Sequence, residues 1–266
     1  MTVQGSRITV EYDDVEGLPR VAIVVFDRPP VNAIDGTTKD ELIAVARELS
    51  VQHDVGAVVI RGARHFAVGD DIKEMASLDR GFAVQGLERI SEAVTAVAEI
   101  PVPVVAAVTG FALGGGCELA LAADFRIAGT GSTWGLPEVH LGLIPGGGGT
   151  QRLPRLVGTA RAKRMIYLGE TIDGTEAAAW GLADEVVSDD QVLSVARDLA
   201  RELTRRAPIA VRAAKQAIDG GIDRDLDAGL LMESALFASV FSTQDAATGL
   251  ASFLADGPRR ATFQGR

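Results

Sequence analysis

Short apolar runs alternate with amphipathic stretches through the first half of the chain. Residues 8–12 alternate between apolar and polar positions, which predicts a half-exposed strand. Continuous or nearly continuous apolar runs predict further strands at residues 21–26, 57–60, 104–108 and 125–128. Pro29 and Pro30 end the first of these runs. Strands separated by helical stretches are typical of an α/β core.

The stretches between these runs show helical periodicity. Thr37 or Thr38 is the predicted N-cap of a helix that continues to about residue 49, with Glu41 as the capping-box partner of Thr38. A loop is predicted over residues 109–113. Further helical segments are predicted at residues 72–75 (a short helix or turn), 82–99 and 117–122.

After residue 150 the pattern becomes mainly helical. Residues 185–187 are the one predicted strand there, and helices are predicted at residues 159–168, 175–180, 191–205 and from 207 onward. A lone helix cannot bury the apolar stripe near residues 230–241, so these side chains pack either on the core or on another subunit. The stripe consists of Leu230, Leu231, Leu236, Phe237, Val240 and Phe241.

Composition restricts the classes of function. Hydrophobic residues make up 47% of the 266 residues, which is enough for a substantial core, and the net charge of −10 disfavours nucleic acid and anionic membranes as partners. The single cysteine, Cys117, cannot form a disulfide within the chain. No signal-peptide profile is present, and no apolar run approaches the about 20 residues of a membrane span. We therefore expect a cytoplasmic protein.

Three glycine-rich segments, at residues 66–71, 110–118 and 145–150, are candidates for a ligand site. Residues 114–116 separate a predicted strand from a helix, where free N–H groups and the helix dipole favour negative charge. A tight turn needed only for packing would show the same glycines. The spacing fits neither a P-loop nor a dinucleotide fingerprint, and serine-hydrolase and zincin motifs are absent.

Two acidic residues stand in apolar surroundings. Glu118 lies at the start of the predicted 117–122 helix, and Glu138 follows the segment 134–137. Glu118 would also suit the helix dipole or an arginine partner, and Glu138 would also suit a surface loop. Two acids in apolar settings on either side of a glycine-lined turn favour general acid–base chemistry, because such surroundings shift the pKa of a carboxyl.

Together these segments resemble the crotonase family, also called the enoyl-CoA hydratase/isomerase superfamily. The motifs occur in family order over nearly the whole chain, at residues 28–35, 66–75, 103–124 and 134–152, before a helical C-terminus. The resemblance implies an α/β spiral of repeated ββα units over residues 1–200, which holds the acyl-CoA site. It implies a helical region over residues 201–266 for oligomerisation and for covering the CoA pocket. Trimers that pair into hexamers are the expected assembly.

The resemblance also implies a reaction and its groups. Backbone N–H groups of Asp70 and Gly115 would form an oxyanion hole for a thioester carbonyl, with Asp70 standing where the family usually has alanine. Glu118 would act as the base that positions water and Glu138 as the acid at Cα, although the converse stays open. The implied activity is hydration of a trans-2-enoyl-CoA to a 3-hydroxyacyl-CoA, as in fatty-acid degradation. Coenzyme A is part of the substrate, and no metal or other cofactor is implied.

Further residues are assigned to substrate binding by the same resemblance. Candidates for contacts with the thioester and acyl group are Ala67, Val68, Gly69, Gly114 and Gly146. Candidates for the CoA phosphates are Arg64, Lys73, Arg259 and Arg260, each of which would equally suit a solvated surface. Candidates for the acyl-chain wall are Met75, Leu78 and Leu87. Structural or solvated roles are expected for His53, His65 and His140.

Two rival functions remain open. A Δ3,Δ2-enoyl-CoA isomerase on the same fold would need only one of the two acids, and comparing 3-enoyl-CoA with 2-enoyl-CoA as substrate separates the two enzymes. A non-catalytic acyl-CoA binder would bind the thioester without turnover. The presence of both Glu118 and Glu138 favours hydration over either rival.

Overall fold

The computed structural model describes residues 7–14, 17–77, 80–258 and 260–266, with the backbone alone for residues 80–87. In chain order, its elements are β1 (Ile8–Asp13), β2 (Arg20–Phe26), α1 (Gly36–Val51), β3 (Val55–Gly62), α2 (Ile72–Ser77), α3 (Arg80–Ala98), β4 (Val104–Val108), β5 (Phe111–Leu113), α4 (Gly115–Ala122), β6 (Phe125–Gly129), β7 (Thr133–Gly135), a 3₁₀ helix (Glu138–Leu141), α5 (Gly149–Val157), α6 (Thr159–Leu168), β8 (Thr171–Asp173), α7 (Gly174–Trp180), β9 (Glu185–Val187), α8 (Val192–Thr204), α9 (Pro208–Gly221), α10 (Leu226–Phe241) and α11 (Gln244–Asp256).

A mixed sheet in the order β1-β2-β3-β4-β6-β9 forms the centre of the fold. β1 is antiparallel to β2, and the remaining neighbours are parallel. Successive side chains of β2 point to opposite faces: Val24 packs with α1, α3 and α4, whereas Ile23 packs with α8. Because both faces are covered, the central strands are continuous apolar runs, and their prediction from the sequence is confirmed.

A small second sheet carries the functional part of the chain. β7 lies between β5, to which it is parallel, and β8, to which it is antiparallel. The expected loop over residues 109–113 is therefore partly wrong, since it contains β5, and neither β7 nor β8 was predicted. Each of these strands has three residues, which is too short to show an alternating pattern.

The start of α1 differs from the prediction. Asp35, and not a threonine, is the N-cap, and its carboxylate accepts the N–H of Thr38 at 2.9 Å. Glu41 accepts the N–H groups of Arg7 and Ile8 at 2.9 and 3.0 Å. The capping-box prediction is therefore wrong, because Glu41 joins α1 to the β1 strand.

The C-terminal region is helical, as predicted, but is divided into α9, α10 and α11. Lys215 of α9 is tied to the core by a bond of 2.6 Å to Asp124. None of the α10 residues is buried, and large apolar side chains are exposed on α10 and α11. No single described helix is long and apolar enough to cross a bilayer; α10 and α11 together reach that length, with a bend of 77° between them. α5 was missed by the sequence patterns.

Candidate active site

The pairing of β5 with β7 brings the two acidic segments together. Leu113 is aligned with Gly135, and the N–H of Gly114 donates to the carbonyl of Gly135 at 2.9 Å. Glu118 follows Gly114 on α4, and Glu138 begins the 3₁₀ helix just after Gly135. Residues that are distant in sequence thereby meet at one turn.

Gly114 makes the turn between β5 and α4. Its φ of 51° lies in the left-handed region that favours glycine. A Cβ there would lie 3.3 Å from Oε1 of Glu138, so the Glu138 carboxyl is packed against the turn. The Gly114 carbonyl accepts the N–H of Glu118 at 3.0 Å, which starts α4 and fixes where the Glu118 side chain departs.

The Glu118 carboxyl is held by the third glycine-rich segment. Its Oε1 accepts the N–H groups of Gly147 and Gly149 at 2.7 and 2.8 Å, and only 2% of the residue is exposed. Burial raises the pKa of Glu118, while the two N–H donors and the Arg152 guanidinium oppose this rise. Arg152 also donates to the Gly147 carbonyl at 3.0 Å and so braces the segment. This carboxyl has a fixed orientation and donors that stabilise its ionised form.

The Glu138 carboxyl has a different environment. Its Oε2 is buried and has no hydrogen-bond partner among the described residues. Burial, together with the charges of Glu118 and Asp70, raises the pKa of Glu138 to about 7, against the smaller opposing effect of its own backbone N–H. Glu138 therefore keeps a proton near neutrality far more readily than an exposed glutamate does.

The predicted oxyanion donors lie side by side. The α-carbon of Gly69 approaches α4 so closely that a Cβ would lie 2.6 Å from the Gly115 nitrogen, and its φ is 79°. Gly116 makes an equally close approach, since a Cβ there would be 2.1 Å from the Ala67 carbonyl oxygen. In the described chain no backbone carbonyl accepts the N–H of Asp70 or of Gly115. Both N–H groups are therefore available to a thioester oxygen.

The loop before Asp70 is fastened at several points. The buried Asn32 side chain donates to the carbonyls of Phe26 and His65 at 3.1 and 2.7 Å. On the far side, Arg28 donates to Asp71 at 2.6 Å and holds the pKa of that carboxyl below its usual range. These bonds fasten the two ends of the donor loop to the chain between residues 26 and 32.

Residue 70 is a charged aspartate in this chain, where the family resemblance implies a neutral alanine, and its charge is paired. Lys39 of α1 forms an ion pair with its Oδ1. Both side chains are largely buried, with exposed fractions of 8% for Lys39 and 17% for Asp70. The charge on Asp70 raises the pKa of both glutamates.

The other predicted site residues fall into three groups. Ala67 and Gly69 are buried, Val68 is partly buried, and Gly146 is exposed with open space where a Cβ would be. Arg64, Lys73 and Arg260 are exposed and Met75 is partly buried, so these positions remain predictions. Arg259, Leu78 and the Leu87 side chain lie outside the described residues.

Cys117 and two histidines have structural surroundings. Cys117 is fully buried in α4, and burial raises the pKa of its thiol. His65 stacks on Phe111 with 4.6 Å between ring centroids. His140 lies 3.1 Å from the Leu168 carbonyl, where it joins the 3₁₀ helix to the end of α6.

Two residues at the site were missed. Lys39 interrupts an apolar helical face formed with Leu42 and Ile43, and a charge at such a position was a usable signal. Arg152 follows the 145–150 segment by two residues, on α5, but nothing in the pattern links it to Glu118. Only the folded geometry brings its charge near the Glu118 carboxyl.

Known proteins resemble this chain both in sequence and in fold. Residues 18–265 match the family model described as enoyl-CoA hydratase/isomerase. The chain belongs to this family. It is 41% identical to a probable enoyl-CoA hydratase of Mycobacterium leprae over 92% of this chain and 96% of the other. It is 39% identical to the short-chain-enoyl-CoA hydratase of Clostridium acetobutylicum, over 88% and 91% of the two chains.

A solved structure confirms the fold. The enoyl-CoA hydratase of Bacillus anthracis superposes with a TM-score of 0.92 at 37% identity, covering 98% of this chain and all of the other. The α/β crotonase fold expected from the sequence is therefore confirmed. An enoyl-CoA hydratase/isomerase family member acts on acyl-CoA thioesters, which agrees with the expected substrate class.

Proposed function

We propose that this enoyl-CoA hydratase/isomerase family member hydrates trans-2-enoyl-CoA thioesters to 3-hydroxyacyl-CoA, as in fatty-acid degradation. The observation that carries the proposal is a buried carboxyl and a partly buried one beside N–H donors that no described backbone carbonyl occupies. Glu118 is held by Gly147 and Gly149, while Glu138 packs against the Gly114 turn with its pKa raised to about 7. Acids in such different settings suit opposite proton-transfer roles.

The oxyanion donors account for activation of the thioester. N–H groups of Asp70 and Gly115 donate to the carbonyl oxygen, which gains negative charge as water attacks Cβ. Gly115 begins α4, so the helix dipole adds to the stabilisation. Fixed donors stabilise the transition state more than the substrate, and losing one typically costs about 3 kcal/mol.

The two carboxyls complete the addition. Glu118, in its ionised form, orients a water molecule and takes its proton as the oxygen bonds to Cβ. Glu138, in its protonated form, gives its proton to Cα. Solvent then removes the proton from Glu118 and returns one to Glu138. The addition of water in this scheme therefore needs proton transfers alone.

Turnover measurements test this proposal. The purified protein should consume crotonyl-CoA, with loss of the enoyl chromophore and formation of 3-hydroxybutyryl-CoA. A Glu118→Gln/Glu138→Gln double variant should be folded and inactive, whereas Glu99→Gln, which changes an exposed glutamate in the turn after α3, should match the wild type. Preferential turnover of a 3-enoyl-CoA would instead identify an isomerase, and binding without any turnover would identify a binder.

The assembly is proposed on separate grounds. Leu231 and Phe237 of α10 and Leu254 of α11 are 74%, 68% and 86% exposed, and such apolar area on helices is typical of a subunit interface. We propose the trimer, paired into a hexamer, that the family resemblance implies. Light scattering on a size-exclusion column measures this directly, and a monomer would contradict it.

A further inference from the structure

Lys39 lies on the buried face of α1, where the helix itself gives no reason for a lysine. It shares this face with the buried residues Leu42, Ile43 and Ala46. Only 8% of the Lys39 side chain is exposed, and burying an ammonium group is costly unless the charge is paired. Its position near the start of α1 adds to the cost, since the helix dipole disfavours cations there. The compensation must come from outside α1.

Asp70 supplies that compensation, and its position matters for the site. Its Oδ1 contacts the Lys39 ammonium. Its Oδ2 is directed to the other side, and lies 3.5 Å from the place that a Cβ on Gly115 would occupy. The carboxylate therefore stands between a buried cation and the oxyanion donor of α4.

An unpaired carboxylate at this position would oppose the reaction. Negative charge develops on the thioester oxygen during addition, and like charges repel strongly where water is excluded. Among the described residues, the charges of Asp70 and Arg152 act on the pKa of Glu118, and the charge of Asp70 also acts on that of Glu138. An acidic side chain next to the donors therefore needs a counter-charge in a fixed place.

We propose that Lys39 is a positioning residue of this site: it holds and neutralises the Asp70 carboxylate, so that an acidic side chain can stand beside the oxyanion donors. The inference rests on the proposed hydratase function. Lys39 touches neither the thioester nor the water in this scheme and acts only through Asp70. The two residues form one unit, in which removing the cation alone is worse than removing both charges.

A double-substitution cycle tests the unit. Lys39→Met should lower kcat for crotonyl-CoA roughly tenfold or more. Adding Asp70→Asn to Lys39→Met should recover most of the lost activity, since no unpaired buried charge remains. Lys163→Met, which removes an exposed lysine charge from α6, is the matched control. A double variant as slow as Lys39→Met, with an unchanged fold by circular dichroism, would overturn the proposal.

A second measurement does not depend on turnover. In the free protein, titration of the Glu138 carboxyl carbon by NMR should show a higher pKa in Lys39→Met than in the wild type, because the Asp70 charge then has no counter-charge, and adding Asp70→Asn should remove this rise. An unmoved titration in Lys39→Met would overturn the electrostatic role of the unit, and Lys39→Gln, which keeps a polar group at the buried position, replaces Lys39→Met if that variant does not fold. Wild-type protein that hydrates no enoyl-CoA would sink the proposed function instead, and the titration would still decide this inference.

Discussion

The two sides of the active site give their carboxyls different hydrogen-bond partners, although burial raises the pKa of both. On the α4 side, Glu118 receives two backbone N–H bonds from the 147–149 segment and faces the charge of Arg152. On the 3₁₀-helix side, Glu138 has a buried oxygen without a partner and a pKa of about 7. A charged form that is well solvated by the protein suits a base, and a poorly solvated one suits an acid. The difference predicts the direction of proton flow.

The largest expected effect comes from removing either carboxyl. Glu118→Gln and Glu138→Gln should each lower kcat for hydration by about 10²–10⁴-fold, since each loses one proton transfer. The roles separate in a second assay: exchange of the Cα protons of butyryl-CoA in deuterated water needs only Glu138 and the oxyanion donors. Glu118→Gln should keep this exchange and Glu138→Gln should lose it. The reverse outcome would exchange the two roles.

A smaller effect is expected from the glycines that hold Glu118. A Cβ on Gly147 would lie 2.7 Å from Oε2 of Glu118, so Gly147→Ala should displace the carboxyl and lower kcat roughly 10–100-fold, the equivalent of one charge-assisted hydrogen bond. Gly221→Ala, at the end of α9, is the control, because its Cβ would meet only the α-carbon of Gly229, at an ordinary contact distance of 3.7 Å. Equal losses in both variants would show that the loss in Gly147→Ala does not come from displacement of the Glu118 carboxyl.

The pH dependence sharpens the comparison further. Hydration needs Glu138 protonated, so kcat/KM should fall as the pH rises through about 7. The pKa of Glu138 is higher in the folded protein than in the unfolded chain, so protonation of Glu138 stabilises the folded state. This stabilisation is lost as the pH rises through about 7. The Tm of Glu138→Gln should therefore rise by a few degrees relative to the Tm of the wild type when the pH is raised from about 5 to about 8. A constant difference in Tm would contradict the assignment.

The smallest effect is expected at Arg152. Its guanidinium lowers the pKa of Glu118 from a distance and braces the Gly147 carbonyl. Arg152→Gln should move the acid limb of the rate profile to higher pH, because Glu118 then ionises later, while the rate at alkaline pH changes only a few-fold. The profile of kcat against pH measures this shift. An unmoved acid limb would show that Arg152 only holds the Gly147 carbonyl and does not affect the pKa of Glu118.

The sequence patterns predicted one side of this site better than the other. The glycine turn, the helix after it and the apolar surroundings of Glu118 all lie within one short segment, so periodicity and local chemistry were sufficient. Glu138 depends on the register between β5 and β7, which are too short to leave a periodic signal. Its place at the site was predicted mainly through the family resemblance.

Long-range contacts explain the remaining errors. Asp35 caps α1 through a local bond to Thr38, whereas Glu41 accepts the N–H groups of Arg7 and Ile8, a long-range contact that replaces the predicted capping box. Lys39 and Asp70 are separated along the chain and are joined only by the packing of α1 against the donor loop. Pairings of this kind leave no mark in local periodicity.

The burial of Cys117 makes the catalytic helix observable on its own. This thiol is the single cysteine of the chain and lies next to Glu118 inside α4. A thiol reagent can reach Cys117 only when α4 opens. When the reagent reacts more slowly than α4 closes again, the labelling rate reports the free energy of that local opening. Labelling with and without an acyl-CoA would then measure how far a bound thioester tightens the helix that holds its own base. Cys117 is thus a natural probe of local opening in the helix that carries Glu118.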